Sequence, residues 1–253
     1  MNPSVVLSDI LVRRGVHAIL QIDQLTLAAG SFTGLIGPNG AGKTTFLKLC
    51  CGLIRPNRGT VFFDNQRISD SPFWRIPHYR KSIGYIPQQA EYNAHLPFTL
   101  REVTAMGRRS LKPLFSRLNR TDYERTDFWL EEMGLYERRN QTFRSLSGGQ
   151  QQKALIARAM AGEPRLLLLD EPGANLDPSW KIQLREILDR LYCTYSITVL
   201  LISHELDLIG DSCERMILLN QGRIAAEGPR REVLQSPFAL QWFGQRPATE
   251  GKG

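Results

Sequence analysis

Nine consecutive residues constrain this chain more than any other stretch in it: Gly37, Pro38, Asn39, Gly40, Ala41, Gly42, Lys43, Thr44 and Thr45. They follow a short apolar run at 32–36 and precede the spaced apolar residues Phe46, Leu47, Cys50 and Leu53, so they join a strand to a helix. The glycines let backbone N–H groups turn inward around an anion where a Cβ would clash. The helix that follows aims the positive end of its dipole at the same point. Lys43 adds a mobile positive charge, and the Thr44 hydroxyl is placed to ligate Mg²⁺ on a polyphosphate. By itself the motif specifies a nucleotide phosphate cradle. It does not choose between kinases, GTPases and ATPases.

The second constraint lies downstream. Leu166, Leu167, Leu168 and Leu169 run straight into Asp170 and Glu171. Four consecutive leucines fit a strand buried on both faces of a mostly parallel sheet, and such strands open at their C-terminal ends onto the ligand crevice. Asp170 there can hold Mg²⁺ opposite Thr44. Glu171, pointing the other way, would polarise an attacking water, a contribution of typically ~10²–10⁴-fold.

The same alternation fills out the fold class. Runs at 5–12, 19–27, 61–63, 83–86 and 198–202 read as further strands. Asp177 and Pro178 read as N-cap and first residue of a helix with Trp180, Leu184, Ile187, Leu188 and Leu191 on one face. From about 89 to 143 the texture turns polar, basic and helical, with Thr121 and Glu124 spaced as a capping box before Trp129, Leu130 and Met133. An α/β core interrupted by a helical insertion is expected.

A third motif narrows the class. Leu146, Ser147, Gly148, Gly149, Gln150, Gln151 and Gln152 precede a helix that stops at Gly162. Ser147 serves as an N-cap, but a cap does not need paired glycines, which leave bare N–H groups at a second helix start. Two such starts and one lysine suggest that two chains share each nucleotide.

In this order the three motifs resemble the ABC ATPase family, and the resemblance covers about residues 7–244. It implies a P-loop NTPase core, mostly parallel sheet with flanking helices, an N-terminal antiparallel β subdomain and an inserted α-helical subdomain. The core would comprise 1–88 and 147–244, the insertion 89–146 with the signature at its end, and 245–253 a disordered tail. It further implies that Gln88 is the Q-loop Mg²⁺ ligand that senses the γ-phosphate. Ala174, Asn175, Leu176 and Asp177 would form the D-loop, and His204 would contact the γ-phosphate. Ser147, Gly148, Gly149 and Gln150 would act on the ATP held by a partner's cradle in a head-to-tail homodimer. Three positions depart from the pattern: Arg14 stands where an adenine-stacking aromatic is usual, Gly173 where Thr or Ser follows Glu-Pro, and Lys153 where arginine follows the glutamines.

Composition sets the surroundings. No apolar run reaches the ~20 residues of a membrane span, and the first residues lack the basic and apolar pattern of a signal peptide. The resemblance therefore implies a peripheral subunit on the cytoplasmic face of a membrane, docked on integral permease chains and served indirectly by a substrate-binding protein. The net charge is +7, of which the stretch 75–144 supplies +5 (13 Lys/Arg against 8 Asp/Glu). That distribution fits a solvated surface, an anionic membrane face or nucleic acid, and charge does not choose; no nucleic-acid partner is expected. Cys50, Cys51, Cys193 and Cys213 lack metal-site spacing, and Cys50 and Cys51 fit a buried helix face. The segments around 85–108 and 217–244 are similar to ATPases of metal and metal-chelate importers, with a zinc/manganese flavour in the later one. A non-transport ABC ATPase of iron–sulfur assembly, or a repair or translation factor of the superfamily, are the other readings.

Overall fold

The computed structural model describes residues 4–71, 76–88, 97–113, 115–174 and 176–244. The segment 89–96, Asn175 and the tail 245–253 thus lie outside the described residues.

The chain builds two sheets. The larger has the order β10-β9-β3-β8-β7-β6, made of β10 (Arg223–Pro229), β9 (Arg215–Asn220), β3 (Phe32–Ile36), β8 (Thr198–Ile202), β7 (Leu166–Asp170) and β6 (Ile83–Ile86). All its neighbours pair in parallel except β9 and β10. The smaller is antiparallel, in the order β2-β1-β4-β5, from β2 (His17–Leu27), β1 (Val5–Arg14), β4 (Arg58–Phe63) and β5 (Gln66–Arg67).

Alternation along buried strands explains the layering. In β7 and β8, Leu167, Leu169, Val199 and Leu201 join a core with the helices, while Leu166, Leu168, Leu200 and Ile202 join another beneath the antiparallel sheet. The second core also takes Phe46, Leu47 and Cys50 of α1 (Lys43–Cys50). With both faces covered, every residue of β3, β7 and β8 is buried, and each leucine so placed contributes about 2 kcal/mol. Burial holds the Cys51 thiol up at about 12, against the pull of Arg80, and raises Cys50 as well. Neither is a reactive thiolate.

On the other face, α5 (Gly148–Ala161) packs against α3 (Leu100–Arg109), α4 (Arg120–Glu132) and β6. α6 (Pro178–Tyr195) lies on the same side with Leu184, Ile187, Leu188 and Leu191 in the core. A short α2 (Ile76–Arg80) precedes β6, and α7 (Arg230–Gln235) and α8 (Pro237–Gly244) close the described chain.

Three local expectations are corrected. The capping box of α4 is Asn119 with Asp122, not Thr121 with Glu124: Asn119 accepts from the Asp122 N–H, and Asp122 accepts from the Asn119 N–H. Both spacings satisfy the rule, but only the earlier one lets its carboxylate turn inward to Arg108 and Lys112. Helix α1 ends before Leu53, which is exposed. Gly52 adopts φ +61°, and the Leu53 N–H returns to the Lys48 carbonyl in a Schellman turn. Strands β1 and β2 run to Arg14 and from His17, past their apolar residues, because a hairpin tip can be polar.

Asp122 offers a test of this helical layer. Its side chain is 1% exposed, 2.8 Å from Lys112 and 3.2 Å from Arg108. Burial pushes its carboxyl up, but Lys112, the Asn119 N–H and Arg108 outweigh that and hold it below the usual carboxylate range. Asp122→Asn is expected to destabilise by about 3 kcal/mol, the scale of removing one partner from a buried ion pair, read as a lower urea midpoint. Since the folded-state value is depressed, the contribution is complete above roughly pH 4 and is lost as pH falls through the lowered value. The variant's deficit should therefore shrink in acid.

Candidate functional site

The cradle is built where β3 ends. Gly37 leaves the strand at φ +152°, and a Cβ there would lie 2.1 Å from the Leu219 carbonyl oxygen of β9. Only glycine lets the loop pass this close to the neighbouring strand. The turn is pinned from its other side: the Gly222 N–H donates to the Ala41 carbonyl at 3.0 Å, and the Gln21 N–H donates to the Gly222 carbonyl at 2.7 Å. α1 then starts at Gly42 without a side-chain cap. Its first-turn residues Lys43, Thr44 and Thr45 border a cavity of about 460 Å³, and a helix start facing a cavity in this way favours an anion. Inside the loop, Lys43 is 5% exposed; its Nζ donates to the carbonyls of Gly37 (2.9 Å) and Pro38 (3.1 Å).

The acids divide as strand geometry requires. Asp170, last in β7, is 1% exposed and is not among the residues that line the cavity. Glu171 turns out of the strand at φ +48°, its N–H still donating to the Ile202 carbonyl at 3.0 Å. A left-handed non-glycine residue costs of order 1–3 kcal/mol, and here it swings the carboxylate into the cavity. Glu171 Oε1 lies 3.6 Å from Lys43 Nζ, and its Oε2 lies 3.4 Å from both Gln88 Nε2 and His204 Nδ1. One carboxylate thus touches the cradle lysine, the glutamine after β6 and the histidine after β8. His204 is presented by a turn that buried Ser203 ties together: its hydroxyl donates to the Glu205 carbonyl and accepts from the Glu205 N–H. Glu205, held by Lys181 at 2.6 Å, stands 3.7 Å from the other ring nitrogen.

The signature residues lie elsewhere. Ser147 caps α5 in a reciprocal box with Gln150, and Gln151 donates to the carbonyls of Phe143 and Leu146, fixing the approach to the helix. Together with Asp177, which caps α6, Ser147, Gly148, Gly149 and Gln150 line a second cleft of about 400 Å³ that shares no residue with the first. One chain therefore carries a cavity with Lys43, Glu171 and His204, and a separate cleft at the starts of α5 and α6. Arg14 does not line the phosphate cavity; Ile19 of β2 does, beside the loop.

The donor set accommodates Mg²⁺. Among the described residues no group of three or more His, Cys, Asp or Glu could hold a metal unaided. A threonine hydroxyl, a glutamine amide and one buried carboxylate are hard oxygen donors, too few for a protein-only cage but suited to a Mg²⁺ that keeps phosphate and water ligands.

A sequence profile described as ABC transporter matches residues 20–174. The chain belongs to the ABC transporter family. Relatives include the zinc uptake system ATP-binding protein ZurA of Listeria monocytogenes, 36% identical over 217 residues, covering 85% of this chain and 81% of that protein. The zinc import ATP-binding protein ZnuC of Halorhodospira halophila is 33% identical over 243 residues, covering 96% and 84%. Among solved structures, a dimeric ATP-binding cassette in a post-hydrolysis state with ADP and Pi superimposes with a TM-score of 0.77 at 27% identity, covering 89% and 98%. A transporter described as metal-chelate type, facing inward, gives 0.80 at 27%, covering 96% and 90%.

The cassette is thus an ATPase with the P-loop NTPase fold and two sheets. No described helix is long and apolar enough to cross a membrane. Sequence reasoning missed the Lys181–Glu205 pair behind His204, for which no local motif exists. It also assigned Trp180 to the core face of α6. In the structure Trp180 is outside both cores and lies in the signature cleft.

Proposed function

We propose that this cassette powers an importer for a divalent metal or metal chelate, acting as a head-to-tail pair docked on integral membrane chains at the cytoplasmic face. The observation that carries the mechanism is the separation of the two clefts: the Lys43–Glu171–His204 cavity and the Ser147–Asp177 cleft share no residue on one chain. Two copies facing each other supply what each lacks. The loop of residues 37–45 and Lys43 bind the β- and γ-phosphates of ATP, and Ser147, Gly148, Gly149 and Gln150 of the second copy cover the γ-phosphate from the other side. Thr44, Gln88 and Asp170 would hold Mg²⁺, which neutralises charge on the phosphate oxygens when bound. Glu171 orients and polarises the water for in-line attack; His204, between two carboxylates, contacts the γ-phosphate; Asp177 faces the second copy's loop. Phosphoryl transfer of this kind depends on positioning and electrostatics rather than covalent chemistry.

The cargo class rests on the relatives, whose names are those of zinc uptake proteins. A substrate-binding protein outside the membrane completes the proposed system. The test is to purify the tagged chain from detergent-solubilised membranes and reconstitute what comes with it into vesicles. Co-purification of an integral membrane protein, with ATP-dependent uptake of radioactive zinc or manganese, is the expected result. Isolation with a soluble iron–sulfur scaffold and no membrane chain would refute the proposal.

A further inference from the structure

The second glycine of the signature has an unusual neighbour. A Cβ built on Gly149 would collide with Nε1, Cε2 and Cδ1 of Trp180. The pyrrole edge of the indole therefore takes the space that a side chain at Gly149 would need. Lys153, one helical turn along α5, sets its Nζ 4.8 Å from the centre of the same ring, a cation–π distance. Lys153 and Trp180 thus form a clasp around the start of α5. Trp180 is also tied to the D-loop: its backbone N–H donates to Asp177 Oδ1 at 2.9 Å, the capping bond of α6.

This is not an ordinary core tryptophan. Leu184, Ile187, Leu188 and Leu191 of α6 enter the helical core, whereas Trp180 is only partly buried and belongs to neither core. Its Nε1–H is buried and finds no acceptor among the described residues. An orphan donor is unfavourable, so shape, not polar pairing, holds the ring there. The elements against which α5 packs its length are α3, α4 and β6. At its first turn, the indole supplies the bridge to α6.

We infer that Trp180 is a positioning residue for the signature: its indole, laid on Gly149 and topped by Lys153, holds the start of α5 and the D-loop at the start of α6 as one rigid unit presented to the second copy's nucleotide. The inference rests on the proposal that two copies share each ATP.

The test uses the full chain. Trp180→Ala should leave binding of a fluorescent ATP analogue to the chain's own cradle within about twofold, because the two clefts share no residue. It should lower kcat by about 10²-fold, the effect of moving aligned donors by ~1 Å. In a Glu171→Gln background it should weaken ATP-induced dimerisation measured by light scattering. Trp180→Phe, which keeps a ring over Gly149 and drops the orphan donor, should restore most of both. Parental kcat and dimerisation in Trp180→Ala would overturn the inference. So would a loss that tracks thermal unfolding and is not recovered by phenylalanine, since that marks plain packing. If the Glu171→Gln parent stays monomeric with ATP, the shared-nucleotide proposal falls and takes the inference with it. A parent that dimerises beside a Trp180→Ala that does so equally removes only the role of Trp180.

Discussion

Glu171→Gln is expected to reduce ATP turnover by about 10²–10⁴-fold, the range for loss of a general base, while ATP binding persists and dimers accumulate. The amide keeps the size of the side chain and can still meet Gln88 and His204, which stand 3.4 Å from the present carboxylate. It cannot take up positive charge from a water. It also withdraws a negative charge from beside the triphosphate, so nucleotide affinity should hold or rise. Phosphate release, nucleotide binding and light scattering with ATP check the three parts separately. Turnover within a few-fold of the parent would remove Glu171 from the mechanism and leave His204 as the remaining candidate.

Lys43→Ala is expected to weaken ATP binding by at least about 10²-fold. Hydrogen bonds to charged groups are worth about 1.5–3 kcal/mol each, and the ammonium, 5% exposed and held by the Gly37 and Pro38 carbonyls, is poised to make such bonds to phosphates. Thermal unfolding gives a second readout: saturating ATP should stabilise the parent by about 2.7 kcal/mol at a hundredfold excess over Kd and the variant hardly at all. Lys43→Arg should not rescue, because a planar fork does not fit a slot that admits a single point charge between two carbonyls. Unchanged ATP-dependent stabilisation in Lys43→Ala would count against the cradle.

Much of this site can be read from the chain because its chemistry is local. A glycine-rich turn, a lysine and a threonine within nine residues need only a strand before them and a helix after. The leucines before Asp170 announce a strand covered on both faces, and the two layers of β7 show why all four are apolar. Ser147 and Asp177 are caps whose spacing is their own evidence. Where two spacings fit one rule, local logic fails: Asn119 with Asp122 prevails over Thr121 with Glu124 because Arg108 and Lys112 arrive from elsewhere. Trp180 obeys the helical period of α6 and still leaves the core, lying in the signature cleft beside Gly149.

The sequence by itself determined the phosphate cradle, the strand that ends in two acids, the capped helix starts and the family to which they belong, since each depends on residues adjacent in the chain. Tertiary structure alone decided that Glu171 meets Lys43, Gln88 and His204 around one cavity, and that the signature opens on another. The physical reason is that parallel strands β3, β6, β7 and β8 bring their C-terminal ends to one edge, whatever the distance between them along the chain.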